Sequence, residues 1–354
     1  MSIIKKTLLL NETGKEIVNN LKQLNTIIRN NANGEMNFES LIEQDAINEI
    51  DNEYLTRIAD YTFYYFKTLT TINMPNVISI GSEAFRNCLA LTTVDLPKVT
   101  DISNNAFDCC HNLTTLTFSH EITNIGKYAF RNCNSFTSLD FVTNVTNVEE
   151  YAFSGCKGIV SINLPKVVSI GNSAFEDCSS LITVDLPKAI SIGESAFYNC
   201  PKLTTINMPN VTSIVNNAFN YSKEIVSINL ENATDTDISS MFSECTKLTT
   251  VNLSRIVTIG YATFRNCSSL SSIELPKATS INSYSFKDCI TLTSVILRSP
   301  TVCKLKHSDA FLGTPIKSGN GYIYVPDELI KQYKTATNWS VYANQIKPLS
   351  EYTE

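Results

Sequence analysis

Apolar residues return at the same offsets in successive units of 22 or 23 residues along most of this chain. The unit at residues 91–110 reads LTTVDLPKVTDISNNAFDCC, and the pattern shared by the units is LxxIxLPxVxxIGxxAFxxC. The first part, LxxIxL, alternates with period two, which predicts a short strand with one buried and one exposed side. The proline that follows has no N–H and a fixed φ, so it predicts the end of the strand and a corner.

A phenylalanine marks the second half of each unit. It recurs at Phe63, Phe85, Phe107, Phe130, Phe153, Phe175, Phe197, Phe219, Phe242, Phe264 and Phe286. A unit this short cannot bury its own apolar face, so the units must stack, which predicts a solenoid with one strand per unit in a parallel sheet. The Ala-Phe pair is expected to begin a short helical or 3₁₀ turn on the back of each coil.

The most specific string of this pattern is AFxxCxxLxxIxLP, and it resembles the BspA-like (Treponema pallidum-type) leucine-rich repeats over roughly residues 38–298. The resemblance implies an α/β fold: a right-handed leucine-rich repeat solenoid with a parallel sheet and short helical turns on the back. It also implies a role in adhesion or protein interaction at the surface of bacteria or protists. Because one fold hosts many activities, the fold carries over better than the function.

The N-terminal segment, residues 1–37, departs from the repeat. Thr13 and Glu16 fit a capping box, and the apolar residues that follow have heptad spacing: Ile17, Leu21, Leu24 and Ile28. This pattern predicts an amphipathic helix. Its expected role is to cover the open end of the first coil of the solenoid at residues 38–298, since terminal repeats need a cap. The alternative is a helix for docking or oligomerisation.

The C-terminal segment, residues 299–354, is predicted to hold a last partial repeat and a cap made of a strand, a proline and a helix. The single tryptophan, Trp339, and Tyr342 are expected to pack on the final coil. This tail resembles the VPxxxxxxYKxAxxWxxYAxxI segment found after such repeats in proteins of gut bacteria and their phages.

The charge balance argues against a nucleic-acid partner. The formal net charge is −6 and the pI is near 5.3, so no basic face for a phosphate backbone is expected. No apolar run approaches a membrane span. The first residues, MSIIKKTLLLNE, hold too few apolar positions for a secretory leader. The compartment is therefore left open: the resemblance suggests a cell or particle surface, without a recognisable signal peptide.

The cysteines follow the repeat and do not form a metal-binding pattern. Nine occupy one repeat position, where Ser222 and Phe66 stand in other units: Cys88, Cys110, Cys133, Cys156, Cys178, Cys200, Cys245, Cys267 and Cys289. This predicts buried, free thiols. The three histidines are scattered and no nucleophile or phosphate-loop motif is present, so neither an enzyme nor a cofactor is expected.

The exposed strand positions are the candidate ligand-binding sheet face. One row of that face comprises Asn73, Asp95, Thr117, Asp140, Asn163, Asp185, Asn207, Asn229, Asn252 and Glu274. A companion row comprises Thr71, Thr93, Thr115, Ser138, Ser161, Thr183, Thr205, Ser227, Thr250 and Ser272. Both rows are small, polar and uniform, which is typical either of a structural hydrogen-bond ladder or of a surface for a repetitive ligand such as a glycan. A second candidate surface consists of tyrosines near the back: Tyr128, Tyr151, Tyr198, Tyr221, Tyr261 and Tyr284.

These observations favour a non-catalytic recognition or adhesion module that binds a protein or glycan through its exposed repeat surface. The alternatives are a structural or host-recognition component of a phage particle, which the missing leader favours, and an intracellular scaffold. An oligomer through the N-terminal helix would support a role in a particle.

Overall fold

The computed structural model describes residues 48–353 except 52, 54 and 235–237. The predicted helix at residues 13–33 lies outside the described residues. The chain forms two compact units. The N-terminal unit runs through Val167 and includes Asp177–Ser179, and the C-terminal unit comprises Val168–Glu176 and the residues from Ser180 onwards.

The described part of the N-terminal unit is a stack of coils with two strands in most of them. Its strands are Glu49–Asp51 (β1), Arg57–Ile58 (β2), Thr71–Asn73 (β3), Ser79–Ile80 (β4), Thr93–Asp95 (β5), Thr115–Thr117 (β6), Asn124–Ile125 (β7), Asn147–Val148 (β8) and Ser161–Asn163 (β9). Strands β1, β3, β5 and β6 pair in parallel in that order. They form the front sheet, and β9 is the front strand of a later coil. The short strands β2 with β4, and β7 with β8, lie on the lateral side of the coils.

The C-terminal unit repeats this arrangement. Its strands are Ser169–Ile170 (β10), Thr183–Asp185 (β11), Ser191–Ile192 (β12), Thr205–Asn207 (β13), Ser213–Ile214 (β14), Ser227–Asn229 (β15), Thr250–Asn252 (β16), Thr258–Ile259 (β17), Ser272–Leu275 (β18), Ser280–Ile281 (β19), Ser294–Leu297 (β20), Lys304–Leu305 (β21), Tyr322–Val325 (β22) and Ile346–Pro348 (β23). Neighbouring strands pair in parallel and join equal repeat positions, such as Val184 with Ile206. The predicted parallel-sheet solenoid is therefore confirmed within each unit.

The recurring phenylalanines form a column of stacked rings in the core of each unit. Phe85 and Phe107 lie 5.0 Å apart between ring centroids, with 4° between the ring planes. Phe197 stacks in the same way on Phe175 and on Phe219, at 5.6 Å in both cases. These rings are completely buried. Because each ring touches the ring of the next coil, the column binds consecutive coils together.

The back of the coils is not the predicted helical turn. Most coils carry two residues with positive φ, one located two positions before the phenylalanine and the other two positions after it. In the N-terminal unit the residues with positive φ are Tyr61, Tyr65, Glu83, Asn87, Asn105, Cys109, Tyr128, Asn132, Tyr151, Gly155 and Asp177. In the C-terminal unit they are Ser173, Ser195, Asn199, Asn217, Tyr221, Ser240, Glu244, Ala262, Asn266, Tyr284, Asp288 and Gly313. A right-handed helix requires negative φ at every residue. The backs are therefore runs of turns, and most of the coils contain no helix.

These turns let the backbone of one coil bind the next. The N–H groups of Tyr61, Phe63 and Tyr65 donate to carbonyl oxygens of the following coil at 3.0, 2.7 and 2.9 Å. The same alternation recurs in later coils, so the backs form a second ladder of hydrogen bonds besides the front sheet. This ladder supplies hydrogen-bond partners for backbone N–H and carbonyl groups beside the buried phenylalanines, where water cannot reach them.

The glycine before several Ala-Phe pairs is required by close approach of the coils. A Cβ atom built on Gly126 would lie 2.7 Å from the carbonyl oxygen of Ile102, and one on Gly193 would lie 2.6 Å from the backbone nitrogen of Asn172. Neither glycine has a positive φ. The hydrogen atom of glycine is therefore what lets neighbouring coils meet at these corners.

The front sheet is interrupted in the N-terminal unit. Residues Asp140–Val142 form a 3₁₀ helix where the repeat predicts a strand. Phe141 lies at this point and contacts Phe130 at 5.6 Å and Phe136 at 5.5 Å between ring centroids. Asp140 was predicted to belong to the sheet face, and this prediction is wrong because the residue begins a 3₁₀ helix in place of a front strand.

The cysteines of the repeat position donate their S–H groups to the backbone. The Sγ–oxygen distances are 2.9–3.5 Å, and each acceptor is the carbonyl of the phenylalanine one coil earlier. Ser222 makes the same contact with Phe197 at 3.1 Å. None of the eleven cysteines, all of them in the described part of the chain, forms a disulfide, and all but Cys109 are buried.

The residues from Tyr322 onwards belong to the C-terminal unit. Strands β22 and β23 extend the front sheet. The α-helix Ile330–Thr335 (α1) follows a 3₁₀ turn at Asp327–Leu329, and further 3₁₀ turns lie at Ser340–Tyr342 and Leu349–Glu351. Trp339 is buried near Phe311 and donates from Nε1 to the carbonyl of Cys303 at 2.6 Å.

Candidate functional site

The front sheet presents a regular polar surface. In β3, β5 and β11 the middle residue is buried while the residues on either side are partly exposed. The register sets equal positions opposite each other, so Asn73 pairs with Asp95 and Asp185 pairs with Asn207. The strand spacing places such neighbours about 4.8 Å apart. Apart from Asp140, the predicted row therefore lies on front strands.

Part of this row is bound to itself. Asn73 donates from Nδ2 to Oδ1 of Asp51 at 3.1 Å, and Asn207 donates in the same way to Asp185 at 2.6 Å. These amide–carboxylate pairs hold neighbouring coils in register and favour the structural interpretation of the ladder. Asn229 accepts from the backbone N–H two residues later in the chain, at 3.2 Å, so its side chain is likewise engaged.

Other members of the row are engaged differently or not at all. Asn252 accepts hydrogen bonds from Ser254, and Glu274 accepts one from Arg298. Asp95 and Asn163 make no side-chain hydrogen bond within the described residues. Asn163 is also exposed, so its amide is open to a partner.

A row of hydroxyl groups that sequence reasoning missed stands next to the front strands. Thr70, Thr92 and Thr114 precede β3, β5 and β6, and each donates to a carbonyl oxygen one coil earlier at 2.8–3.2 Å. Thr204 repeats the contact in the C-terminal unit at 3.3 Å. Threonine at this offset was visible in the sequence, but only the coil geometry shows that it serves the backbone.

The predicted tyrosines lie on the back of the coils. Tyr128 stacks on Tyr151 at 4.9 Å, while Tyr198 with Tyr221 and Tyr261 with Tyr284 meet edge to face at 5.7 and 5.8 Å. Tyr221 and Tyr261 are 39% and 50% exposed. These rings form pairs across neighbouring coils, and cationic side chains also cover the rings of Tyr128 and Tyr284.

An ion-pair row that the sequence did not predict lies on the back of the N-terminal unit. The carboxylate of Asp108 is fully buried. Arg131 donates to both of its oxygens, from Nε at 2.9 Å and from Nη2 at 2.8 Å. Arg86 of the preceding coil places Nε 3.1 Å from Oδ2. A buried carboxylate is costly unless paired, and here two guanidinium groups neutralise it.

The pKa values of two residues on the same side of the coils, Tyr61 and Cys109, are raised. The charge of Glu83 raises the pKa of Tyr61 above its ordinary value. Burial, followed by the charge of Asp108, raises the pKa of the Cys109 thiol. The tyrosine hydroxyl and the thiol therefore keep their protons at neutral pH, and neither is activated as a nucleophile.

The C-terminal unit has a shallow groove of about 560 Å³ beside the last coils. Ile290 and Pro315 supply apolar walls, while Lys317 and Asn320 supply polar groups. In the described residues no group of three or more histidine, cysteine or acidic side chains is placed to hold a metal ion. The described helices also include none long and apolar enough to span a membrane.

Comparison with known proteins identifies the repeat. The model of the BspA type leucine rich repeat region matches residues 56–182 and 190–317, in six copies. A leucine-rich repeat protein from Bacteroides ovatus is similar in structure, with 21% identity, coverage of 89% of this chain and 87% of that chain, and a TM-score of 0.67. The likeness supports the fold.

Two further structures are similar over parts of the chain. The leucine rich repeat protein of T. pallidum has 26% identity, covers 50% of this chain and 82% of its own, and has a TM-score of 0.39. A leucine-rich repeat protein from Eubacterium ventriosum has 19% identity, coverage of 77% and 84%, and a TM-score of 0.49. A search of curated proteins gave no match.

Proposed function

We propose that this chain, which belongs to the family of BspA type leucine-rich repeat regions, is a non-catalytic recognition module that binds a protein or glycan through its exposed repeat surface. Members of this repeat class generally serve protein interaction or act as surface modules. The stack of coils in each unit supports this role because it offers a regular exposed face. The observation that carries the proposal is the exposed polar row of the front strands.

The front row has the chemistry of a surface for a repetitive polar ligand. Within each unit its carboxylates and amides can accept and donate hydrogen bonds, with neighbouring front strands about 4.8 Å apart. Asn163 is exposed and its amide has no hydrogen-bond partner within the described residues. Asn207, in contrast, is already bound to Asp185. Substitution of these two asparagines therefore distinguishes a binding role of the front row from a structural role.

The test replaces each asparagine by alanine in the full chain and measures both ligand binding and the free energy of unfolding. A binding face predicts that Asn163→Ala weakens binding to glycan or protein arrays while leaving stability unchanged. A purely structural ladder predicts that Asn207→Ala lowers stability by about 0.5–1.5 kcal/mol and that Asn163→Ala changes nothing. The second result would refute the proposed role of the front row.

Among the possible recognition roles we propose adhesion at a cell or particle surface, because this role is typical of the repeat class. A phage-particle component and an intracellular scaffold are the alternatives. Antibody labelling of intact producer cells, and of particles shed from them, distinguishes these roles. Labelling of either exterior supports adhesion or a particle role, whereas a signal confined to the cytosol would contradict both and leave the scaffold.

A further inference from the structure

Four residues that directly follow the core phenylalanines align across consecutive coils of the N-terminal unit: Tyr64, Arg86, Asp108 and Arg131. Arg86 lies over the ring of Tyr64, with 5.9 Å from Cζ to the ring centroid. Asp108 then joins Arg86 to Arg131 through its two oxygens. The row spans three coil spacings, about 14 Å.

Burial of Asp108 fixes the two guanidinium groups without using all their donors. Arg131 gives Nε and Nη2 to the carboxylate, while its Nη1 makes no hydrogen bond within the described residues. Arg86 donates from Nη1 to Glu83 at 2.7 Å, and its Nη2 has no hydrogen bond there either. Both arginine side chains are 32% exposed. Each arginine therefore keeps one Nη atom that can donate a hydrogen bond to a ligand. The side chain is already held in place, so less conformational entropy is lost when a ligand binds.

The exposed surroundings of this row are aromatic and cationic. Tyr65 is 41% exposed, and the Nζ atom of Lys67 lies 5.5 Å from its ring centroid. Arg131 covers the ring of Tyr128 at 4.9 Å. We call Tyr64, Tyr65, Lys67, Arg86 and Arg131 the back patch.

The carboxylates that pair with the arginines of the back patch are less exposed than the arginines themselves. Asp108 is fully buried, and the carboxyl side chain of Glu83 is only 18% exposed. The chain as a whole carries a net charge of −6, so a cluster of cationic side chains differs in sign from the net charge of the molecule. Negatively charged groups are the complement of such a surface.

We propose that the back patch binds an acidic segment of a partner protein. Tyrosine and arginine are among the residues that most often dominate the binding energy of protein interfaces, and the back patch contains two of each. The varied side chains of the back patch can select one partner, which the uniform front row cannot do by itself. This inference rests on the proposed recognition function and assigns it a second surface with a protein ligand.

The probe is a fluorescein-labelled peptide of about ten glutamate and aspartate residues, long enough at roughly 33 Å to cross the back patch when extended. Fluorescence anisotropy with the full chain measures its affinity at low and high salt. Binding should weaken as salt rises, because the contacts are charged.

The variants take their replacements from the repeat. Tyr65→Asn introduces the residue that Asn87 supplies at the same coil position with positive φ, so the turn is preserved. Arg86→Gln leaves Asp108 both of its hydrogen bonds from Arg131. Each is expected to weaken peptide binding about tenfold. The matched control is Tyr221→Asn, at the same coil position in the C-terminal unit, which should leave the affinity unchanged.

The outcomes separate this inference from the proposed function. Weakening by Tyr65→Asn and Arg86→Gln, but not by Tyr221→Asn, supports it. Absence of peptide binding, or equal effects of all three substitutions, overturns it. Binding of an anionic polysaccharide such as hyaluronate in place of the peptide also overturns it, in favour of a glycan ligand. Neither result affects the front row, whose own test is Asn163→Ala.

Discussion

Replacement of one ring of the phenylalanine column tests how the coils are held together. Phe197 is completely buried, and its ring stacks at 5.6 Å on Phe175 and at 5.6 Å on Phe219. Replacement of a buried phenylalanine by alanine costs about 3–5 kcal/mol through lost burial and the cavity that remains. Because two stacked contacts worth about 0.5–1.5 kcal/mol each are lost together, Phe197→Ala is expected in the upper half of that range.

Urea unfolding measures this cost. Circular dichroism follows the whole chain, and fluorescence of the single tryptophan, Trp339, follows the C-terminal end. Two probes are needed because long repeat arrays can lose two-state behaviour. The control is Ile190→Ala, since Ile190 is 43% exposed and its truncation is expected to change stability by no more than about 0.5 kcal/mol. A loss below about 1 kcal/mol for Phe197→Ala, as small as that of a surface substitution, would refute the ring column as the source of cohesion.

Three further substitutions or conditions test other parts of the fold. Cys200→Ser should cost less than about 1 kcal/mol because Ser222 already makes the same bond to a phenylalanine carbonyl, whereas a large loss in urea unfolding would show that the thiol packs differently. Asn338→Ala should lower stability by about 1–3 kcal/mol, because Asn338 has φ 65° and donates to the carbonyls of Leu305 and Lys306. Trp339 emission reports that change, and an unaltered midpoint would contradict it. Burial raises the pKa of the Cys303 thiol from 9.0 to about 12, so its contribution to stability is complete below pH 9 and is lost as the pH rises towards 12. Unfolding titrations across this window should show declining stability, and Cys303→Ala should reduce the slope.

The strands and the core could be predicted from the sequence because the apolar period sets them directly. Ile72 and Val94 were placed on buried strand positions by alternation alone, and they are completely buried. The back of the coils was not predicted, because Ala-Phe followed by two polar residues fits a helical turn and a left-handed turn equally well. The distinguishing signal is the residue two positions after the phenylalanine, which is asparagine or glycine in several coils, such as Asn87, Asn132 and Gly155. Asparagine and glycine tolerate positive φ better than other residues.

The candidate surfaces were predicted only in part. The front row follows from the strand pattern, except at Asp140, where a 3₁₀ helix replaces the strand. The pairing of Asp108 with Arg86 and Arg131 was not predicted, since the three residues lie 22 and 23 positions apart and only stacking of the coils brings them together. A charged residue just after the core phenylalanine in three successive units was the available signal.

The most direct test of the recognition function is a screen of the folded full chain against glycan and surface-protein arrays, with the Asn163→Ala and Tyr65→Asn variants assayed beside it. The account predicts at least one ligand whose binding is weakened by one of these surface variants while the unfolding midpoint stays the same. If no ligand binds, or if binding is the same for all three proteins, the assignment of recognition to these repeat surfaces is contradicted.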